Sequence, residues 1–449
     1  MSGRGEYYRN KYGGGRGRGG GRGRGGGRGR GNNNGGESST PPSSGGGGGS
    51  YADLRQLLRL IDGKQYPRYH DLETNTSNNS SSSSSSTGGW VHDSFSLHIG
   101  RTQADPFAPP TRCRAVIPSS SILVQQDSAR QLQSSKLRRT AAADYLLRTV
   151  ARTCQRMGTD RGLNGGGGGG GAWNGPKGGS LRVMTPTQHV LEQSAVTIAA
   201  DGSTVILQLT IHLPARGRTI LGSAAWDIFD TTLPEVVRQC FFDATSIDTN
   251  ELWRHVDSIE DQAWLQGQLQ KEDLVAFVRN GAILPRASGV DDRPLSSNAV
   301  VPFVSPPTLE RSFQLPKSGT TITGMGIPQG ITLICGGGYH GKSTLLQALQ
   351  AGVYLKLPGD GREFCVTSER AVKVRAEDGR SVAKVDISSF LRNLPGGADT
   401  TCFSTADASG STSQASNIVE VRVSNNKLAH HLRRLESLTC VVCCFTVGH

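Results

Sequence analysis

A glycine-rich octapeptide between an apolar run and a helical pattern constrains this chain more than any other feature. Residues 336–343 read Gly-Gly-Gly-Tyr-His-Gly-Lys-Ser, which fits the spacing G-x-x-x-x-G-K-[ST]. The segment before it, Ile331–Cys335, is short, apolar and β-branched, and it predicts a buried strand. After it, Leu345, Leu346 and Leu349 recur at helical spacing. A strand, a glycine loop and a helix are the context that this motif requires.

The residue types of this loop suit a phosphate ligand. Glycines let the backbone N–H groups surround phosphate oxygens, and the start of a helix adds partial positive charge. Lys342 would reach the β- and γ-phosphates, and the hydroxyl of Ser343 would ligate Mg²⁺. The alternative is a glycine-rich turn with a chance lysine, in a chain with 60 glycines. The predicted strand and helix favour a nucleoside triphosphate site that consists of Gly336, Gly337, Gly338, Tyr339, His340, Gly341, Lys342, Ser343 and Thr344.

The first 50 residues are of low complexity and hold most of the positive charge. Residues 1–31 carry nine Lys and Arg against Glu6, which gives +8 of the formal net charge of +12. Arg-Gly steps hold guanidinium groups on a flexible backbone, where they can contact phosphates and stack on bases. The alternative is a solvated tail without a function. We predict a disordered RGG-type tail over residues 1–50 that binds RNA through Arg16, Arg18, Arg22, Arg24, Arg28 and Arg30.

Composition argues against a secreted or membrane-spanning protein. The nine cysteines are scattered and odd in number, which fits reduced thiols. No apolar run approaches the roughly 20 residues of a membrane span, and the amino terminus has no apolar signal segment. We therefore expect an intracellular, soluble protein without a membrane segment, in the cytoplasm, the nucleus or an organelle.

Patterned sequence begins at Tyr51 and is interrupted twice. The polyserine run 80–86 and the polyglycine run 165–171 are insertions within a domain, because patterned sequence resumes after each. A strand is predicted near Thr204–Leu213, followed by helices near Leu233–Phe242, Thr249–Leu269 and Leu274–Val278. The proline-punctuated linker 302–307 suggests a boundary. We predict an α+β amino-terminal domain over residues 51–301 and an α/β P-loop domain with a largely parallel sheet over residues 302–420.

The second half contains three further local patterns. Residues 371–375 and 381–387 alternate on either side of Glu377-Asp378-Gly379, which predicts a hairpin. Residues 388–394 predict a short helix that ends at Pro395. The small polar residues 409–413 precede a helical pattern over residues 414–420, so they predict a helix start. A start of this kind is either an ordinary cap or an anion site.

Together these stretches resemble the predicted ATPases of the ABC class. The likeness spans about residues 51–420 apart from the insertions, and its matching stretches are 61–64, 105–108, 233–237, 288–295, 324–328, 336–346, 358–363, 371–380, 385–388 and 407–415. The resemblance implies an ABC-type nucleotide-binding domain, ATPase activity, and ATP and Mg²⁺ as ligands. It also implies a signature-like loop that contacts the γ-phosphate bound to an opposing subunit in a head-to-tail homodimer, formed by Ser409, Gly410, Ser411, Thr412, Ser413 and Gln414.

The sequence departs from that family after Glu420. In the family a hydrophobic strand that ends in adjacent acids, the Walker B element, follows the signature helix and fixes Mg²⁺ and the attacking water. Here the one later acid is Glu436, which precedes the last apolar run. We therefore expect a carboxy-terminally truncated P-loop domain, an atypical tail over residues 421–449 and no identified catalytic acid. A metal site at Cys440, Cys443 and Cys444 would need further ligands.

Three functions remain open at this stage. The first is an ATPase whose hydrolysis drives conformational work on RNA or ribonucleoprotein. The second is a nucleotide-binding, RNA-associated scaffold without turnover, because no Walker B element is present. The third is a small-molecule kinase, since a phosphate loop alone does not exclude one; the signature-like stretch argues against it.

Overall fold

The computed structural model describes residues 47–74, 88–118, 132, 134–163, 175–243, 247–296, 300–330, 332–335, 340–375, 377–394, 397–429 and 441–444. Residues 1–46 of the predicted RGG-type tail, the polyserine and polyglycine runs, and Cys440 lie outside these residues, whereas the prediction of disorder is wrong for residues 49 and 50, which form a strand. Residues Gly46–His449 form one compact unit of mixed helices and strands, as predicted.

The helices are α1 (Tyr51–Ile61), α2 (Lys136–Met157), α3 (Gly222–Asp227), α4 (Leu233–Val237), α5 (Thr249–Leu269), α6 (Lys342–Ala351) and α7 (Gly410–Ala429). Shorter 3₁₀ turns span Tyr66–Leu72 and Pro307–Leu309, and π-helical turns span Ile228–Thr232 and Arg238–Phe242.

The strands up to residue 220 are β1 (Gly49–Ser50), β2 (Trp90–Val91), β3 (Ser96–Ile99), β4 (Thr111–Pro118), β5 (Pro176–Lys177), β6 (Leu181–Arg182), β7 (Val196–Ile198), β8 (Thr204–Ile211), β9 (Ala215–Arg216) and β10 (Thr219–Ile220). Those that follow are β11 (Leu274–Arg279), β12 (Glu310–Gln314), β13 (Thr321–Pro328), β14 (Cys365–Thr367), β15 (Val372–Arg375), β16 (Arg380–Val385), β17 (Phe403–Ala408) and β18 (Val441–Cys444).

The first half of the unit is built on a mostly antiparallel sheet. Its strands run in the order β1-β2-β3-β4-β8-β6, and β7 also pairs with β8. Burial alternates along β4 and β8, as expected for strands with one covered face. The covered face includes Ala115, Ile117 and Leu207, and it packs in one core with Leu147 and Val150 of α2. The predicted strand near Thr204–Leu213 is confirmed as β8.

Helix α5 contributes to the cores of both halves. Its first part, including Leu252 and Val256, packs in one cluster with α2 residues, whereas Leu265 and Leu269 pack with β11 to β13. Asp248 caps its start by accepting from the N–H groups of residues 250 and 251. The predicted helix over Thr249–Leu269 is therefore confirmed, and it joins the two sets of strands.

The second sheet has the order β12-β13-β11-β14, and it corrects two predictions. The predicted helix at Leu274–Val278 is wrong: this segment belongs to β11. Five successive residues from Leu274 to Val278 are buried, which suits a short central strand rich in Val and Phe. The expected largely parallel sheet is also wrong for these strands, since all three pairs are antiparallel. Short connections such as that between β12 and β13 permit only this direction.

The predicted hairpin is wrong in its pairing, although both of its strands form. Strand β16 pairs with β17, whereas β15 pairs with β18. The pairing of β16 with β17 is favoured because Val382 and Val385 then pack in one core with Phe403 and Ala408. The helix predicted over residues 388–394 is also wrong, since residues 388–390 form only a turn.

None of the helices in the described part of the chain has the length and apolar character that a membrane span requires.

Candidate functional site: the phosphate loop and the signature-like segment

The helix that follows the glycine loop is present and starts at the predicted lysine. Helix α6 begins at Lys342, directly after Gly341, whose φ of 80° is a left-handed conformation that glycine adopts without a steric penalty. The Leu345 N–H donates to the Gly341 carbonyl at 2.9 Å, which closes the first helical turn. Ser343 is exposed at this start. Of the predicted phosphate-binding residues, Gly336, Gly337, Gly338 and Tyr339 lie outside the described residues.

The opposite end of α6 is fixed to the second sheet. Ala348 and Leu349 are buried in one cluster with residues of β11, β13 and β14. The hydroxyl of Thr367 in β14 donates to the Leu349 carbonyl at 2.7 Å. The Thr367 N–H donates to the carbonyl of Gly352, the residue that ends the helix, at 2.9 Å. The helix is thus held at its carboxyl end, while its amino-terminal turn faces outward.

The strand predicted before the loop is not formed in the described residues 332–335. These residues have no regular secondary structure, and none of the sheets of the described chain includes them. The prediction of a buried strand is therefore wrong here. Leu333 has 79% of its surface exposed, although Ile334 packs on the core that holds α6. A strand needs a neighbouring strand for its backbone groups, and the hydrophobic pattern alone does not show whether one is present.

A buried lysine lies beneath the carboxyl end of α6. The Lys356 ammonium donates to the carbonyl oxygens of Ala351 at 2.5 Å and Tyr354 at 2.9 Å. Its backbone is held by Gln262 of α5, whose side chain bonds both the N–H and the carbonyl of Lys356 at 2.8 Å. Burial lowers the pKa of Lys356 from 10.5 to about 8. Sequence reasoning gave this residue no role, because its burial depends on packing against distant residues such as Gln262.

Two stretches that carried the family resemblance, 288–295 and 358–363, meet beside this lysine. Arg286 forms a buried ion pair with Asp360 and also approaches Asp292 at 3.4 Å. Arg362 donates through its guanidinium to the Leu284 carbonyl. These bonds fasten the segment that follows α6 to the segment that follows β11. In the described structure these bonds stabilise the segments that adjoin the carboxyl end of α6.

The signature-like residues lie at the start of α7, as the sequence predicted. Helix α7 begins at Gly410, directly after β17 and Ser409. The Ser413 N–H donates to the Ser409 carbonyl at 2.8 Å, and the Thr412 hydroxyl donates to the same carbonyl at 3.0 Å. The helix starts four residues earlier than the predicted helical pattern at 414, so the polar cluster forms its first turn.

Burial divides the signature-like segment into two groups. Ser409 and Ser411 are exposed, whereas Thr412, Ser413 and Gln414 are buried. The Ser413 hydroxyl accepts from the Glu377 N–H at 3.3 Å, and the amide nitrogen of Gln414 has no hydrogen-bond partner. In the described structure no hydrogen bond joins residues 409–414 to Ser343 or Thr344. The hydroxyl of Ser409 lies 3.3 Å from that of Ser411 and 3.0 Å from that of Thr412, so the two exposed hydroxyls contact each other and are also accessible to a ligand from outside the chain.

The residues at α6 are compatible with Mg²⁺ that arrives with a nucleotide. Such Mg²⁺ takes one or two protein ligands and fills its octahedron with phosphate oxygens and water. The exposed Ser343 hydroxyl has no hydrogen-bond partner among the described residues, so it is available as one ligand. The same residues contain no cluster of three or more His, Cys, Asp or Glu side chains that could hold a metal by themselves.

Comparison with known proteins agrees with this architecture. The model of the N-terminal domain of ABC-class ATPases matches residues 51–244, and the model of their P-loop domain matches residues 248–428. An uncharacterized protein of Methanocaldococcus jannaschii is 33% identical over 147 residues. That match covers 31% of this chain and 32% of the relative, so the chain spans about a third of the length of the curated relative it matches.

This part of the chain is a nucleotide-binding P-loop domain. It is defined by the left-handed Gly341, by the helix that starts at Lys342 and by the match to the P-loop model. The chain carries this domain together with the matching amino-terminal domain, and it belongs to the ATPases of the ABC class.

Proposed function

We propose that this protein binds Mg-ATP at the start of α6 and couples ATP binding and hydrolysis to conformational work on RNA or ribonucleoprotein. The observation that carries the proposal is the first turn of α6, in which Ser343 is exposed and Lys342 is partly exposed. There a left-handed Gly341 leads directly into Lys342 and Ser343, while the other end of the helix is fixed on β14. A fixed helix with a free amino terminus offers N–H groups and partial positive charge to an anion.

Each residue of this turn has a distinct task in the proposal. The Lys342 ammonium pairs with the β- and γ-phosphates, and the Ser343 hydroxyl ligates the Mg²⁺ that bridges them. Gly341 lets the backbone turn toward the phosphates without a side chain in the way. The bound Mg²⁺ supplies charge neutralisation at the phosphates. Gly336, Gly337, Gly338, Tyr339, His340 and Thr344 complete the proposed nucleotide site.

The signature-like segment acts in a second copy of the chain in this proposal. Ser409 and Ser411 are exposed at the first turn of α7, so their hydroxyls can donate to a phosphate that another subunit holds. Thr412, Ser413 and Gln414 are buried and position that turn from within. This division of roles supports a head-to-tail homodimer that closes on ATP. The arginines of the amino-terminal segment would bind the RNA.

A second candidate function is ATP binding without turnover. The ion pair between Glu420 and Arg380 favours it. Hydrolysis requires a carboxylate that fixes Mg²⁺ and a group that positions water. Glu420 is the first acid after the signature-like residues, and both of its carboxylate oxygens accept from Arg380 at 2.7 Å. Because Arg380 contacts both oxygens of this carboxylate, the described arrangement disfavours Glu420 as a base or metal ligand.

One set of assays separates these functions. ATP binding is measured by calorimetry, and release of phosphate from ATP is measured with and without single-stranded RNA, for the natural chain and Lys342→Ala. Binding with RNA-stimulated phosphate release supports the first proposal, and binding with release no greater than that of Lys342→Ala supports the second. Transfer of the labelled phosphate to a small-molecule acceptor would contradict both and indicate a kinase.

A further inference from the structure

A second cleft lies between α2 and the first part of α5, and none of its lining residues belongs to α6. It has a volume of about 1050 Å³ and is lined by residues of α2 and α5, by residues 181–186 and by residues 357–359. None of the loop residues 340–344, the part of the proposed phosphate loop that the structure describes, contributes to its wall. A volume of this size is at the upper end of the range of small-molecule sites, which is about 300–1,000 Å³.

The wall of this cleft holds more cations than anions. Four arginines line it against two carboxylates, with His255 as an additional imidazole, and the charged residues are Arg148, Arg152, Arg182, Arg254, Asp160 and Glu251. Three of the arginines are in no ion pair with any described residue: Arg152 and Arg254 bond backbone carbonyls of α2 and α5, and Arg182 bonds the Asp160 carbonyl. These guanidinium groups keep donors available for an anion.

The fourth arginine is held rigidly in the wall. Arg148 donates twice to the fully buried carboxylate of Asp144, at 2.7 and 3.1 Å. The same carboxylate lies 3.3 Å from Nε2 of His255, a side chain with only 7% of its surface exposed. His255 lines the cleft, although its Nε2 makes no hydrogen bond of good geometry with the described residues. The buried Asp144 carboxylate therefore contacts both Arg148 and His255, which makes this part of the wall a polar site of packed side chains.

We propose that this cleft binds a small phosphorylated molecule of nucleotide size. The guanidinium groups of Arg152, Arg182 and Arg254 would bind the phosphate oxygens, because guanidinium forms paired, charge-assisted hydrogen bonds with them, whereas Arg148 is already held by Asp144. Asp160 and Glu251 in the same wall would oppose a continuous run of phosphates, so a discrete ligand fits the charge pattern better than a polynucleotide strand. The proposal is independent of the ATP site at α6.

The test uses inorganic pyrophosphate as the probe and the full chain with Lys342→Ala as the background. This background weakens the site at α6, so that calorimetry reports the second cleft. The cleft variant adds Arg152→Ala and Arg254→Ala, both of which are exposed side chains whose loss leaves the core unchanged. The control adds Arg59→Ala and Arg311→Ala, which remove the same charge from exposed positions outside the cleft.

We expect pyrophosphate to bind the background and the control equally, and to bind the cleft variant at least about tenfold more weakly. Equal affinity for the control and the cleft variant, or no binding to the background, would overturn the proposal. A single-stranded 15-mer RNA whose affinity falls in the cleft variant while pyrophosphate does not bind would also overturn it and assign the cleft to nucleic acid. If the double variant fails to fold, Arg182→Ala alone replaces it with the same expected direction.

Discussion

Arg286 and Asp360 form an ion pair in which Nη2 of the arginine lies 2.5 Å from Oδ2 of the aspartate, with 7% and 0% of the side-chain surfaces exposed. Arg286 also donates to the Asp360 carbonyl at 2.9 Å. The pair joins the segment after β11 to the segment that leaves α6. Because both charges are removed from water, the short contact with Asp360 is the main compensation for Arg286, and Asp292 at 3.4 Å is a second, more exposed carboxylate.

Removal of one partner of this pair should destabilise the fold strongly. Asp360→Ala leaves a buried guanidinium without its carboxylate, and we expect a loss of about 3–5 kcal/mol in the free energy of unfolding. Asp291→Ala is the matched control, since Asp291 pairs with Arg293 on the surface and should contribute less than about 1 kcal/mol. Urea unfolding of both variants measures the difference. Similar losses for the two would show that the buried pair has no special role.

Replacement of Gly341, directly before α6, by a residue with a side chain should destabilise the protein because of its backbone conformation alone. A Cβ at Gly341 would meet no atom of the described residues within 4 Å, yet its φ of 80° is unfavourable for alanine. We expect Gly341→Ala to destabilise the protein by about 1–2 kcal/mol. Gly267 of α5 also has open space around it but has no positive φ, so Gly267→Ala should stabilise by roughly 0.5–1 kcal/mol. Thermal unfolding that shifts in the same direction for both variants would contradict this explanation.

Lys356 should make stability depend on pH on the alkaline side. Burial lowers its folded-state pKa to about 8, whereas Asp360 and Asp292 raise it in part. Below pH 8 the folded protein carries the full cost of the buried charge. Between pH 8 and 10.5 the unfolded chain binds the extra proton, so stability rises with pH.

Lys356→Met isolates this contribution, since methionine does not titrate. From pH 7.5 to 9.5 the natural protein should gain roughly 1–2 kcal/mol of unfolding free energy relative to the variant. Other titrating groups are shared by both proteins and cancel in the difference. A difference that stays constant or falls over this range would show that the ammonium is not desolvated.

Deletion of residues 1–46, which leaves β1 and the Ser50 cap of α1 in place, should weaken RNA binding and flatten its salt dependence. Six arginines at phosphates would contribute a slope of up to about 4 in log affinity against log salt for a single strand. ATP affinity should be unchanged, because the proposed nucleotide site starts at residue 336. RNA titrations at several salt concentrations measure this slope. Identical slopes for the two chains would show that the segment is not an RNA arm.

Sequence patterns predicted the elements whose cause is local. The helix over Thr249–Leu269, the alternation along β8 and the helix that starts at Lys342 each follow from side chains within the element itself. The polar cluster at Ser409 also marked a helix start correctly, because small hydroxyl residues bond the first turn.

Features that depend on distant partners were not predicted. Strand β11 is too short for its hydrophobic period to distinguish a helix from a strand. Its conformation depends on backbone pairing with β13 on one side and β14 on the other. The partner of β16 is decided by the core that it shares with Phe403 rather than by the turn at Gly379. The arginine cleft gathers residues from four separate segments, and Lys356 acquires its pKa from burial that no local pattern shows.

The central claim is that Lys342 at the start of α6 holds the phosphates of ATP. Isothermal titration of Mg-ATP into the natural chain and into Lys342→Ala tests it most directly. Loss of a charge-assisted phosphate contact costs about 1.5–3 kcal/mol, so we predict an affinity roughly 10- to 150-fold lower for the variant. Replacement of exposed Lys373 by alanine removes a similar charge and should leave the affinity unchanged. Equal ATP affinity for the natural chain and Lys342→Ala would contradict the account.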